Sequence, residues 1–385
     1  MKIIYISSIA YSDVDISMLI EAQKKYMDIT YVGVLHTNHR RSCAIDLRSS
    51  QLVPGLNKAV EIPELNKYRN VIDLSKAYIF CSNGDHAYSY KTFKGNHQLY
   101  RFIVDNEFDV VHLTSVPSFL NPFMFFLRKK IIVTIHDPIP HSSATYQVER
   151  YNRLFSFKYI RNLILLNKSQ TDEFIQSYNV SKKTRIYGSI LSCYTYLRMY
   201  EDKPDSTTKP YILFFGNVTG YKGLDILFPA MKLVHDSCPE LRLIAAGGGK
   251  YNFDITAYQK SGYIDIRNEF IPDDELAQLI SNCEFVVVPY IDATQSGVVM
   301  SAYAFNKPCI ATNVGGLPEM VIDKEYGLIV NPGNITELSK AIIELHNNSD
   351  LNDFFSSNIC RDYQNGDKSW NTVCKQLDYI YKNIH

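Results

Sequence analysis

Short apolar runs alternate with stretches of helical periodicity along almost the whole chain, and this alternation limits what it can fold into more than any other feature. A strand buried on both faces reads as a continuous β-branched and aromatic run, and parallel strands need crossovers, usually helices. In the first half such runs predict strands over 2–7, 29–34, 109–113, 131–135 and 163–166. Helical spacing predicts helices over 14–27, 95–106 and 169–178. Residues 200–210 are then all polar or proline if Tyr is counted as polar, the composition of a linker. Beyond it the alternation restarts, with strands expected at 211–215, 241–246, 284–289 and 308–311 and helices at 223–236, 273–281, 297–305 and 334–347. The last stretch, 368–384, brings Trp370, Val373, Leu377, Ile380 and Tyr381 onto one helical face. A chain of 385 residues is long enough for two domains of this kind. The expectation is an α/β protein, with domains at 1–205 and 206–367 and a terminal helix at 368–385. A cleft between two such domains is the usual place for a ligand.

The composition excludes several alternatives. No apolar run approaches the ~20 residues that a membrane-spanning helix needs. Met1 to Ile6 reads as a first strand and lacks the h-region and cleavage site of a signal peptide. The eight cysteines are scattered without a Cys-x-x-Cys pair, which favours reduced thiols and a cytoplasmic location over a zinc site or a disulfide framework. Forty basic and forty acidic residues cancel, so no nucleic-acid partner is indicated. The halves do not cancel: residues 1–205 carry an excess of seven basic charges and residues 206–385 an equal acidic excess.

Four segments carry candidate chemistry. Phe215-Gly216-Asn217-Val218-Thr219-Gly220-Tyr221-Lys222-Gly223 lies between a strand and a helix. Ligands collect there in an open parallel sheet, glycines let backbone N–H groups approach an anion, and Lys222 supplies a charge for phosphate. Its spacing is not that of a P-loop, and a glycine-rich turn with a surface lysine is the plain alternative. Ala245-Ala246-Gly247-Gly248-Gly249-Lys250 ends another strand and either lines a nucleotide crevice or is simply a loop. The third segment runs from Pro289 to Glu319, where Asp292, Gln295 and Ser296 precede a helix opening at Gly297 and Val298. Its N-terminus, together with Lys222, suits a diphosphate. The fourth is Ile131 to Pro138, a strand delivering His136 to its carboxyl end, as a catalytic or a loop-capping residue.

Taken together these residues resemble the retaining glycosyltransferases of family 4, which have the GT-B fold. The similarity is strongest over about 209–320. Gly216 to Lys222-Gly223 looks like the family's donor-diphosphate motif, Gly247-Gly248-Gly249 stands where it has Gly-Asp-Gly, and Pro308 to Glu319 is similar to its Pro-Val-Ile-Ala-Thr-x-x-Gly-Gly-x-x-Glu stretch. The resemblance implies two Rossmann-like doubly wound domains facing each other across a cleft, with the terminal helix crossing back to the first. It implies transfer of a hexose-type sugar, with retention, from a UDP- or GDP-sugar to a saccharide acceptor of a bacterial surface polysaccharide (O-antigen or capsule). Catalytic roles fall on His136, Lys222 and Asp292. Donor binding falls on Gly216, Asn217, Lys222, Gly247, Ile271, Gln295, Ser296, Gly297, Val298 and Ser301. Neither a metal nor a cofactor is expected, because the protein supplies the positive charge that a metal otherwise would. The chain departs from the family at three places. Asn217 stands for the usual Arg, Ala293 and Ser301 stand for both glutamates of Glu-x7-Glu, and Ser7-Ser8-Ile9-Ala10-Tyr11 replaces the glycine pair after the first strand. The missing glutamates keep a non-catalytic sugar-nucleotide-binding protein as a rival reading, and the fold also hosts epimerases and phosphorylases.

Two further features have plain explanations. Asp13-Val14-Asp15 resembles a metal-binding pair and is expected to cap the first helix. Phe123 to Leu127, followed by Arg128-Lys129-Lys130, is expected to be a buried helix entered through Asn121-Pro122. The alternative is peripheral contact with an anionic inner membrane, which would make the acceptor lipid-pyrophosphate-linked.

Overall fold

The computed structural model describes the chain except residues 26, 36–39, 43, 82–88, 117–120, 137, 139–145, 167–169, 202–209, 294 and 385. Most of the expected linker lies outside the described residues. The chain divides into two compact units, one of Met1–Leu191 with Trp370–His385 and the other of Ser192–Ser369. The second unit thus begins upstream of the polar run, because Thr195–Tyr200 forms a short helical turn packed on helices Asp273–Asn282 and Gly297–Ala304.

The first unit holds an eight-stranded sheet of β1 (Ile3–Ser8), β2 (Ile29–Leu35), β3 (Gly55–Lys58), β4 (Ala77–Cys81), β5 (Val110–Leu113), β6 (Ile131–Ile135), β7 (Asn162–Leu165) and β8 (Arg185–Gly188). Their order is β3-β4-β2-β1-β5-β6-β7-β8, and every pairing is parallel except β3 with β4. The second unit holds β9 (Tyr211–Phe215), β10 (Arg242–Ala246), β11 (Ile264–Arg267), β12 (Val286–Val288), β13 (Cys309–Thr312) and β14 (Gly327–Val330). These are all parallel, in the order β11-β10-β9-β12-β13-β14. That is the doubly wound order of a dinucleotide-binding domain, and the first sheet repeats it from β4 to β7. Both units therefore carry the Rossmann-like arrangement expected of the GT-B fold.

The long apolar runs became the central strands. The strands that were not predicted are the four sheet edges, β3, β8, β11 and β14, and the interior strand β4, which lies between β3 and β2. An edge strand is short and covered on fewer sides, so Gly-Leu-Asn-Lys or Ile-Asp-Ile-Arg can form one without a continuous apolar stretch.

The C-terminal helix, Trp370–Lys382, belongs to the first unit, where Trp370, Val373, Cys374, Leu377, Ile380 and Tyr381 are buried. Burying each large apolar side chain contributes about 1.5–3 kcal/mol, so this face alone holds the helix in place. Its Tyr381 hydroxyl lies 2.6 Å from Nδ1 of His112 on β5, whose Nε2 lies 2.7 Å from Thr134 Oγ1 on β6. Burial lowers the His112 pKa to about 3, with the charge of His136 a smaller cause, so the ring is neutral inside this network.

Two expectations are corrected here. Asp15 does not cap the first helix, Ser12–Lys24, because Tyr11 occupies the N-cap position. Its carboxyl is fully buried and accepts a 3.1 Å hydrogen bond from Tyr31 on β2. Burial pushes its pKa up to about 8, only partly offset by hydrogen bonds to Ser7 and Tyr31. Asn121-Pro122 does open a helix, but Pro122–Phe126 has only five residues and the Asn121 side chain makes no capping bond. That helix is not buried either: Met124 and Leu127 face inward, whereas Phe126 is 65% exposed and Phe125 44%.

Candidate functional site

In the second unit the strand order reverses at β9, which lies between β10 and β12. A crevice opens beyond the carboxyl ends of the strands at such a reversal, and ligands collect there. The three glycine-bearing segments of this unit sit on those ends. Gly216 follows β9 with φ +113°, its N–H bonded to the Ala246 carbonyl at 3.0 Å, and a Cβ placed on it would lie 3.5 Å from Val298 Cγ2. The β9 loop thus touches the first turn of helix Gly297–Ala304. Gly247 follows β10 with φ +146°, and a Cβ there would fall 2.0 Å from the Gly216 carbonyl oxygen. Only glycine permits that approach.

Lys222 ends a short helical turn, Gly220–Lys222, that is tied to the β12 loop on both sides. Ile291 donates its N–H to the Tyr221 carbonyl at 2.8 Å, and a Cβ on Gly223 (φ +70°) would lie 1.9 Å from the Pro289 oxygen. This stitching brings the Lys222 ammonium over the face of Tyr290, 3.7 Å from the ring centroid, with the Tyr221 ring 5.1 Å away. Among the described residues Lys222 makes no ion pair, and burial lowers its pKa to about 8. A half-buried cation held by an aromatic face and lacking an acid is poised for an anionic ligand.

The Gly297 helix starts beside this lysine. Ser296 stands at its N-cap position, but the side chain does not cap; instead its N–H meets Met320 Sδ at 3.3 Å. The Ser296 and Tyr290 hydroxyls are neighbours, and both are buried without a well-formed hydrogen bond. Polar atoms left this way inside a protein are costly unless a ligand or water completes them. A Cβ on Gly297 would meet the Tyr194 ring at 3.0 Å, so glycine keeps the helix entrance clear of that side chain. Gly315 of the later Gly-Gly pair has φ +50°, and a Cβ there would collide with the Ala293 carbonyl, fixing the loop that leads to the helix.

The second unit therefore brings together Gly216, Lys222, Gly247, Ser296, Gly297 and Val298. Asn217 and Asp292 are exposed on the adjoining loops, and Gln295 is half-buried just before the helix. Ile271 is buried after β11, next to Phe270, which is 45% exposed. Ser301 is buried in the second turn of the helix. His136 belongs to the first unit, where it follows β6 and its ring stacks on Tyr11 with centroids 4.3 Å apart. The sequence reading gave no role to Tyr290 or Tyr194. Tyr290 stood in the quoted Pro289-Tyr290 pair, but nothing in a lone aromatic after a strand announces that a lysine 68 positions earlier will lie on it.

A glycine-lined switch point, a half-buried cation and a helix start on a doubly wound sheet form a candidate site for an anionic ligand. Residues 209–348 match the family model of group 1 glycosyl transferases. A 144-residue stretch is 37% identical to an uncharacterized glycosyltransferase of Methanocaldococcus jannaschii, covering 36% of this chain and 39% of that protein. The chain spans less than half the length of the curated relatives it matches. The fold extends the likeness to the whole chain. Sucrose-phosphate synthase from Thermosynechococcus elongatus superposes with a TM-score of 0.68 at 16% identity, over 100% of this chain and 99% of that one. HepE of Anabaena, in complex with UDP-glucose, superposes with a TM-score of 0.65 at 14% identity, over 99% of each chain. The fold is GT-B.

Proposed function

We propose that this protein is a metal-independent, retaining hexosyltransferase that moves a sugar from a nucleotide diphosphate to a saccharide acceptor. The observation that carries the reading is the Lys222 ammonium over Tyr290, at the carboxyl end of β9 and beside the start of the Gly297 helix. Departure of a nucleoside diphosphate develops negative charge on its phosphates. Lys222, the N–H groups of Gly297 and Val298 and the dipole of that helix are arranged to stabilise that charge, whereas the Gly216 N–H, also expected there, is taken by the Ala246 carbonyl. In a same-face reaction the departing phosphate takes the acceptor's proton, so no protein nucleophile is required. His136 serves the sugar, and Asp292 and Gln295 frame the loop before the helix. Ser301 binds the ribose in place of a glutamate, while Ile271 and the Gly247 turn border the base. A UDP- or GDP-sugar fits this assignment, and the UDP-glucose bound by HepE supports the uridine choice.

Lys222→Ala should lower turnover about 100-fold, the loss typical of removing one donor to a developing anion. A fully active Lys222→Ala enzyme would remove the assignment. Incubation with donor alone should give no epimer; epimer formed without acceptor would favour a sugar-nucleotide epimerase.

The acceptor is assigned to the first unit, whose exposed aromatic and basic residues support a lipid-linked saccharide. Phe93, Phe125 and Phe126 are exposed there, the Arg128 guanidinium lies 4.4 Å from the Phe125 ring centroid, and Lys129 and Lys130 follow. Each basic residue near an anionic membrane contributes about 1 kcal/mol, and aromatic rings anchor at the interface. This reading locates the enzyme in the cytoplasm, reversibly on the inner face of the membrane, in surface polysaccharide synthesis. The protein should sediment with anionic vesicles at low salt and release from them at high salt. Indifference to anionic vesicles would point to a soluble acceptor.

A further inference from the structure

The amino ends of the second sheet carry a different constellation. Cys238 closes helix Leu224–Ser237 and is 2% exposed, and Glu240 follows it two residues later in the turn into β10. His346 lies in the last turn of helix Ile335–Asn347, which packs along the Leu224 helix. The ligand-type atoms of these three residues all lie within 4.8 Å of one another. His346 Nε2 is 3.0 Å from Glu240 Oε1, while its Nδ1 is 2.8 Å from Oε2 of Glu284, just before β12.

We propose that Cys238, Glu240 and His346 bind a zinc-type divalent cation. A thiolate, an imidazole and a carboxylate are the donor set that zinc selects over magnesium or calcium, which prefer all-oxygen shells. On a tetrahedral zinc ion such atoms stand roughly 3.3–3.7 Å apart, given bond lengths of about 2.0–2.3 Å. The wider separations need to close by no more than about 1 Å, while the 3.0 Å pair of His346 and Glu240 opens slightly, and Glu240, with its side chain 56% exposed, has room to move. The carboxylate on the far side of the imidazole is a second, independent observation. Metal-binding histidines commonly donate their other N–H to a carboxylate, which fixes the tautomer and turns the free nitrogen toward the ion. Glu284 is placed to do this, leaving Nε2 facing Glu240.

The ion would join two packed helices, the turn into β10 and the segment before β12. It would lie at the sheet end opposite the glycines and Lys222, so it would brace the unit without touching the donor.

The reduced, chelator-treated full chain is titrated with cobalt(II) and then zinc(II). One cobalt ion per chain, a visible tetrahedral spectrum, a near-ultraviolet thiolate band, displacement by zinc and a raised melting temperature are expected. Cys238→Ser should abolish the thiolate band, and Glu284→Gln should weaken affinity about 10-fold or more. Cys81→Ser/Cys360→Ser, which removes the two partly exposed thiols among the described residues, should leave the band intact. Absence of stoichiometric binding at micromolar metal, or a band that survives Cys238→Ser, would overturn the proposal and leave His346 as a proton-bridged clamp between two glutamates. Neither result bears on Lys222 and the transferase reading.

Discussion

Among the described residues no acid pairs with Lys222, which is unusual at a half-buried position, and an aromatic face stands in its place. Its charge rests on the Tyr290 ring, an attraction of about 0.5–2 kcal/mol that does not neutralise it. The ammonium therefore remains available to a diphosphate, but with its pKa lowered to about 8 it begins to lose its proton in the mildly alkaline range. The charged form binds the anion, so affinity for a nucleoside diphosphate should be full below about pH 7 and fall as pH rises through 8. An ordinary lysine would hold affinity to beyond pH 10. Tyr290→Leu should move that fall to lower pH by withdrawing the aromatic face, whereas Tyr290→Phe should leave it in place. Calorimetric titration of UDP across pH 6.5–9.5 reads both, and a flat profile would remove Lys222 from the diphosphate.

At the scale of elements, the site depends on loops pressed together at strand ends more than on any one side chain. Gly223 shows how tight this is: its left-handed φ and the Pro289 carbonyl 1.9 Å from where a Cβ would stand leave room for hydrogen only. Gly223→Ala should cost about 1–3 kcal/mol in backbone strain, plus whatever the displaced Pro289 loses. Because the Lys222 turn and the β12 loop would part, donor affinity should fall together with stability, as followed by urea unfolding and nucleotide titration on the same variant. Gly333 is the contrast, with φ +75° but nothing within 4 Å of its Cβ position. Gly333→Ala should cost stability without touching nucleotide binding.

At the scale of the whole molecule, the two units carry different ionisable groups, so pH should act on them differently. The Asp15 carboxyl keeps its proton up to about pH 8 in the folded first unit, but ionises near 3.8 once unfolded. Its folded pKa is the higher one, so its contribution to stability is complete below pH 3.8 and is lost as pH rises through 8. Asp15→Asn should flatten that part of the first unit's pH–stability curve while leaving the second unit's unfolding unchanged, as read by thermal melts from pH 4 to 8.5. An unchanged slope in the variant would assign the pH dependence elsewhere. Interior β4 and the helix Tyr146–Ser156 were missed. Most central strands and crossover helices, and the glycine-and-lysine loops at strand ends, were legible in the sequence, because burial on two faces and close backbone approach each demand particular residue types locally. So was the C-terminal helix, whose apolar face from Trp370 to Tyr381 has no meaning without a partner. Edge strand β14 was missed although Gly-Leu-Ile-Val is an apolar run, and the edge strands β3, β8 and β11 were not legible, since an edge needs no apolar run. Nor were the contacts of Lys222 with Tyr290, His112 with Tyr381, Asp15 with Tyr31, or His346 with Glu240 and Glu284. Those pairs join residues from 16 to 269 positions apart, and only the order in which the strands assemble decides which distant side chains meet.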